Sequence, residues 1–526
     1  LVLTINPKIV KNPSSKRLTL KISHIIKLGS ILCLAGCTLA PVPSATDHWS
    51  IEPVSLYDSG YNKGTEIVSI QQSTLRAALS NFETGEVDVL DVSEPSHMHR
   101  KARFNLSLSK GEELTSVAFH PVLDLFAAVI DVGNRPGRLE IRSATTGVLI
   151  DRIVVGFGPD SVVFSEDGEL AMIANEGEDF LFEPSSKQFF SPEGSISMVR
   201  LNQSGHIASH KNLELANAIN YEGFVISKGG RFMEREIDWN GDGIISKTMD
   251  FDGNGKIEKK KVLLGYFEGQ DVSGTETKGE QKILIPIKTH SPALLEPEYI
   301  AISPDAKKAY VTLQEDDAVA VVDLINEQVI SYYGLGATQH KVDARYDGWV
   351  KFDQAMTGLR EPDGITTVAN GRYFVTADEG DTDSDTSAPA EGQPTSGGRS
   401  VSVFDAATGT LLGDTGSQID EVAFANKVYP ERRSSKKGSE PEMLVSLELD
   451  GIPHVAVGME RAGSVELISL ADPFHPKVVA LGKIGGEEDK SPEGIAHFVV
   501  NGEHYLLTAN EMSGTVECFK IVREGG

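Results

Sequence analysis

The chain has 526 residues, in which 76 aspartates and glutamates outweigh 49 lysines and arginines to give a formal net charge of −27. That length exceeds one ordinary core and calls for several domains or one large repeat architecture. The charge repels phosphate backbones and anionic membrane surfaces, so it argues against a nucleic-acid partner and leaves divalent cations and basic groups. The 51 glycines, with ordinary apolar content, suit a turn-rich β protein better than a helical bundle.

Residues 1–37 stand apart. Lys8, Lys11, Lys16, Arg17, Lys21 and Lys27 are basic, no acid precedes Asp47, and the apolar run "LGSILCLAGC" ends at Cys37. A basic start followed by a short apolar run and small residues describes a secretory signal. "LAGC" (residues 34–37) has the form of a lipoprotein signal box, in which small residues precede a cysteine whose sulfur takes a diacylglycerol. The competing reading is an uncleaved anchor, but Lys21, His24 and Lys27 interrupt any apolar span of about 20 residues. Loss of the signal and lipidation of Cys37 leave Cys518 alone, which rules out an internal disulfide in an oxidising compartment. Thr38 rather than aspartate after the cysteine favours the outer membrane of a Gram-negative cell, facing periplasm or exterior. Residues 38–52 read as a flexible stalk.

From 53 to 526 one pattern recurs. An acid, usually after proline, opens an apolar stretch, a tight turn follows, and a second alternating run ends in another acid. Copies are "GPDSVVFSEDGELAMIANEGE", "EPEYIAISPDAKKAYVTLQED", "EPDGITTVANGRYFVTADEGD", "EPEMLVSLELDGIPHVAVGMERAGSVELI" and "SPEGIAHFVVNGEHYLLTANEMSGTVECF", with weaker copies beginning near Glu66 and Glu113. Each reads as strand, Asp-Gly or Asn-Gly turn, strand, polar turn and third strand, with a fourth from stretches such as "GVLIDRIVV". The expected fold is all-β, a β-propeller of seven blades with four antiparallel strands each. The last copy shows three strands, so "PVSLYDSGYNKG" near Pro53 is expected to add the fourth and close the ring. The starts at Glu66, Glu113 and Asp160 are evenly spaced and the next, Glu298, comes far later, which places an inserted hairpin subdomain at 204–292.

Those repeats, together with "GMERAGSVELISLADPFHPK", resemble the choice-of-anchor I family over nearly the whole chain after the signal. The resemblance implies a secreted or surface-tethered propeller-like protein, related to mesenchyme-specific cell-surface glycoprotein. Members are sometimes labelled alkaline phosphatase, but the family has no agreed catalytic residues to carry over. The Pro/Ser/Gly-rich loop "DTDSDTSAPAEGQPTSGGRS" and the insert depart from the family pattern.

Three features carry candidate chemistry. The insert contains "DWNGDGIISKTMDFDGNGKIE", two calcium-like loops. Asp238, Asn240, Asp242 and Ser246 occupy ligand positions of an EF-hand-type loop in the first, and Asp250, Asp252, Asn254 and Glu258 in the second, each with glycine at the sixth position. Met249 and Lys261 stand where the bidentate glutamate belongs, and no room exists for intervening helices, so the expectation is Ca2+ bound with modest affinity in a hairpin. A plain polar hairpin is the alternative, since the same residues form turns.

The recurring acids are the second feature. Asp160, Glu298, Asp363, Glu442 and Glu493 open the repeats, and Glu176, Glu315, Glu379, Glu460 and Glu511 close their second strands. Equivalent blades would gather them at one end of the central channel, where close carboxylates need a cation, a proton or backbone donors. The alternative is that each caps turns in its own blade.

Third, "DEGDTDSD" (378–385) reads as a flexible acidic surface loop, and Arg432, Arg433, Lys436 and Lys437 in "ERRSSKKGSEPE" as a solvated basic loop. Histidines such as His120, His290, His340, His454 and His497 are scattered and read as packing or surface residues. There is no G-x-S-x-G elbow, P-loop or H-E-x-x-H. The sequence therefore favours a lipid-anchored binding or scaffold module for a protein or glycan, with a metal-dependent phosphoesterase using the channel carboxylates as the alternative.

Overall fold

A computed structural model describes residues 49–61, 63–177, 192–215, 295–380, 395–485 and 491–524, with the backbone of short strands also placed between 181 and 286. The signal segment, Cys37 and residues 38–48 of the stalk lie outside the described residues, whereas 49–52, read from the sequence as stalk, belong to the paired strand Trp49–Asp58. No described helix is long and apolar enough to cross a membrane.

Seven four-stranded antiparallel sheets follow one another along the chain. The inner strands, first in each repeat, are Thr65–Gln71, Glu113–Phe119, Pro159–Phe164, Pro297–Ile302, Ile365–Val368, Pro441–Leu449 and Pro492–Val500. Each contacts the inner strand of the next sheet, and the last contacts the first, so they surround one axis. The seventh sheet is completed from the other end of the chain. Trp49–Asp58 pairs antiparallel with Thr515–Arg523, the third strand of the last repeat. The expected closure near Pro53 is therefore present, and Thr515–Arg523 is paired on both sides instead of forming the sheet's edge.

The core is a ring rather than a ball. Seven apolar clusters each fill the space between two neighbouring sheets. Middle strands need apolar residues on both faces, and they have them: every residue of Leu170–Asn175 is buried. Between the fourth and fifth blades, Phe374 is fully buried, with its ring 4.9 Å from that of Phe404 and 5.3 Å from that of Tyr310. Truncating such a side chain to alanine typically costs about 3–5 kcal/mol.

Three elements differ from the sequence expectations. The fourth strand of the third blade, Ile207–Glu214, lies inside the range assigned to the insert, because its half-exposed alternation is that of an outer strand. The strand Ala337–Val342 pairs with Gln354–Leu359 as an extra hairpin between the fourth and fifth blades. The helix Gln418–Ala425 follows the fifth blade and buries Ile419 and Ala423 against the sixth. In the insert, Met249 pairs with Glu258 across a short antiparallel ladder. Asp238, Asn240, Asp242, Ser246, Asp250, Asp252 and Asn254 lie outside the described residues, as does the side chain of Glu258.

Candidate axial acid site

The local geometry that gathers the acids repeats from blade to blade. Two residues before the opening acid, the backbone turns left-handed at Gly64, Gly158, Glu361, Glu440 and Ser491. For Glu361, Glu440 and Ser491 this is strained backbone, held by burial of all three. The turned carbonyl then accepts a hydrogen bond from the end of the second strand. Glu176 N–H donates to Gly158 O at 2.8 Å, Glu460 N–H to Glu440 O at 2.8 Å and Glu511 N–H to Ser491 O at 2.9 Å. A bulge beside the opening acid shifts the register in most blades, as between Pro159 and Val162 and between Pro492 and Gly494. The opening and closing acids of one blade are thereby locked side by side at the same end of the channel.

Register also corrects two positions. In the second blade the bulge falls between Leu114 and Ser116, so Thr115 takes the place of the opening acid, not Glu113. Its hydroxyl donates to Pro159 O at 2.6 Å, bridging to the next blade. In the fourth blade Pro297 pairs with Leu313, as Pro159 pairs with Asn175, which makes Gln314 rather than Glu315 the equivalent of Glu176. The sequence reading took the wrong member of "QE" because both are polar and only pairing register separates them. Gln314 Nε2 donates to Glu379 Oε2 at 2.6 Å, and Glu315 sits one residue further, still raising the pKa of Glu298.

Two groups of carboxylates come together. Oxygens of Glu379, Glu442 and Glu460 lie within 4.8 Å of one another, and so do oxygens of Asp160, Glu176 and Glu298. The first group opens on a cavity of about 410 Å³ that also receives Asp363, Glu440, Glu493 and Glu511, together with Arg433, Lys437 and Arg461. Beyond it the channel is apolar, where Ile67, Tyr299, Met443 and Ile495 line about 360 Å³.

Burial beside apolar walls makes ionisation costly. It pushes Asp160, Asp363 and Glu460 up to about 7 and Glu66 up to about 8. Glu298, Glu442 and Glu493 are held well above the ordinary carboxylate range, first by burial and then by each other and their neighbours. Asp160 and Asp363 both act on Glu298, and Glu66 and Glu511 on Glu493, so the two groups form one continuous titrating ring.

The basic residues are the part sequence reasoning missed. "ERRSSKKGSEPE" is not simply a solvated loop. Lys437 is buried and its ammonium pairs with Glu379, while Arg433 Nε meets Glu440 Oε1 at 2.5 Å. Arg461 spans Glu440 Oε2 at 3.2 Å and Glu460 Oε1 at 2.6 Å. Burial works against the charge on Lys437, but Glu379 and Glu440 outweigh it and hold its pKa above the usual lysine value. "DEGDTDSD" is likewise split. Glu379 faces the axial cavity, and Asp378 is fully buried, accepting from Ser400 Oγ at 2.6 Å and Ser402 Oγ at 2.5 Å with Arg360 Nε at 3.9 Å. Asp381, Asp383 and Asp385 lie outside the described residues. Glu379 was readable from the repeat, whereas the burial of Asp378, read as part of a surface loop, and the reach of Lys437 were not.

Of the histidines named from the sequence, His290 lies outside the described residues, and His120 and His497 pack. His120 Nδ1 accepts from the N–H groups of Val122 and Leu123, and His497 Nε2 lies 3.0 Å from His504 Nδ1. Cys518 is a buried free thiol, pushed up to about 12 by burial and Glu517.

The model of the choice-of-anchor I domain matches residues 66–396 and 383–473. The chain belongs to the choice-of-anchor I family. Membership implies an exported, surface-anchored protein, as the sequence suggested. A comparison with curated proteins finds no match. Among solved structures the chain is similar to hydrazine synthase of Kuenenia stuttgartiensis, at 11% identity over 89% of this chain and 99% of that one, with a TM-score of 0.48. It is also similar to the C-terminal WD40 domain of Sif2, at 10% identity over 90% of this chain and 99% of that one, with a TM-score of 0.45. For this choice-of-anchor I domain, the axial ring spans both stretches matched by the family model and continues past them to Glu493 and Glu511.

Proposed function

We propose that this protein is a surface-displayed binding module whose axial carboxylates hold a divalent cation, through which a protein or glycan ligand docks. The observation that carries the reading is the approach of Glu379, Glu442 and Glu460 oxygens to within 4.8 Å. Carboxylates that close in a low-dielectric cavity repel unless a proton or cation sits among them, and at neutral pH a hard divalent cation with oxygen ligands suits them. Lys437 and the two arginines offset part of the charge, but the acids lining the cavity outnumber them. In the same reading Cys37 carries the lipid that tethers the module to the outer membrane, and Ca2+ in the loops of Asp238 to Glu258 braces the insert.

A metal-dependent phosphoesterase is the second reading. What favours it is Arg461, a third exposed at the cavity, where it can meet a phosphate beside a carboxylate-held metal. The test is to measure cation binding by calorimetry and phosphoester turnover on the same samples, with Glu442→Gln as the variant. Cation binding lost in the variant without turnover in either protein supports the binding module. Turnover lost with it supports the enzyme, and unchanged cation binding removes both.

A further inference from the structure

A further cavity lies away from the axis, and its described lining includes Arg399 and Lys436. It measures about 550 Å³ and sits between the extra hairpin and the basic loop. The hairpin contributes Val342, Ala355 and Met356, the loop contributes Ser435 and Lys436, and Arg399 completes the wall. No carboxylate lines it among the described residues, which is unusual on a chain with a net charge of −27.

Arg399 is the informative residue. It is 4% exposed, and its Nη atoms are fixed by backbone carbonyls: Asp343 O at 3.2 Å, Ser434 O at 2.9 Å and Lys436 O. Its Nε is buried without a hydrogen-bond partner. A buried guanidinium donor left unmet is costly, and a water, an ion or a ligand group can supply the missing acceptor. The acids facing Arg399 do not meet that donor. Asp420 Oδ2 is 3.8 Å away from Nη1, and the Asp343 carboxylate takes the Ser434 hydroxyl at 2.8 Å.

We propose that this lateral pocket binds a small oxyanion, a phosphate or carboxylate carried on a compact body with an apolar face, through Arg399 Nε–H and the Lys436 ammonium. The hydroxyls of Ser435 and Thr357 and the methyl-bearing hairpin wall supply the rest of the recognition. The basic loop would then serve two cavities in alternation, with Arg433 and Lys437 turned to the axis and Ser435 and Lys436 to the side.

The experiment is calorimetric titration of the full chain with inorganic phosphate, glycerol 3-phosphate and propionate. The variants are Lys436→Glu, on an exposed side chain, and Arg399→Lys, which keeps the charge but loses the guanidinium fork. At least one probe should bind, and Lys436→Glu should weaken it about tenfold, a loss of about 1.4 kcal/mol, at unchanged melting temperature. Preference among the probes separates a phosphate from a carboxylate source. Three results would overturn the proposal: no binding of any probe at millimolar concentration, equal affinity in Lys436→Glu, or loss on Arg461→Ala instead, which would place the anion at the axis.

Discussion

The two arcs of the axial ring are built from the same repeat and furnished differently. On one side Asp160, Glu176 and Glu298 cluster beside Thr115 and Ser161, whose hydroxyls reach across to neighbouring carbonyls. On the other, Glu379, Glu442 and Glu460 also gather within 4.8 Å, and the segment between the fifth and sixth blades sends Arg433 and Lys437 among them. Repeat geometry thus decides where carboxylates gather, while a non-repeating loop decides how much of their charge is met by the protein itself. The furnished arc is the one that opens on the 410 Å³ cavity, so the protein's own cations stand where a ligand would enter.

The sharpest way to break this contrast is to remove the resident cation. Lys437→Met should destabilise the fold by about 3–5 kcal/mol in chelator, because it strands Glu379 as a buried charge. Adding Glu379→Gln to Lys437→Met should recover most of that loss in denaturant unfolding. Recovery by calcium alone would show that a metal replaces the ammonium.

Next comes pH. The ring acids have folded pKa values raised to about 7 or 8, so the unfolded chain releases their protons first as pH rises. Their contribution is fully present below the ordinary carboxylate range and is lost as pH climbs towards 8. Melting temperature in chelator should therefore fall from pH 5 to pH 8, by less when calcium is present. A flat profile in chelator would mean the acids are already compensated.

A smaller effect tests acids off the axis. Asp88 and Glu140 sit at like places on third strands and are met by Arg103 and by Arg138 and Arg142, whereas Glu466 is fully buried with both oxygens lacking hydrogen bonds. Burial holds Glu466 well above the carboxylate range. Glu466→Met should raise stability at neutral pH by about 1 kcal/mol, whereas Glu140→Met should lower it.

The smallest effect is at His497, pushed down to about 4 by burial and by His504. Its contribution is present above the ordinary histidine range and is lost as pH falls towards 4. His497→Phe should flatten the acid limb of the melting profile without moving the neutral value.

The sequence showed the propeller plainly because its signals are local and repeated: alternation, Asp-Gly turns, and a proline-acid pair at each opening. Even the closing strand was legible, since one repeat was short by one strand and Pro53 lay in unassigned alternation. The axial acids were legible for the same reason, apart from Thr115 and Gln314. There the bulge and the strand pairing choose between adjacent residues, and no composition signal does. Lys437 and Arg399 were not legible, because their partners are far apart in the chain and belong to loops outside the repeat. The calcium-like loops from Asp238 to Glu258 were visible only as a motif, with no repeat to place them.

The direct measurement is calcium binding by calorimetry in a chain whose insert loops are silenced by Asp238→Asn and Asp250→Asn, with and without Glu379→Gln, Glu442→Gln and Glu460→Gln. The silenced chain should still bind calcium, and the axial substitutions should abolish the remaining binding while the protein stays folded. Calcium binding that survives the axial substitutions unchanged, or that disappears with the insert loops alone, would contradict a cation held by the axial carboxylates.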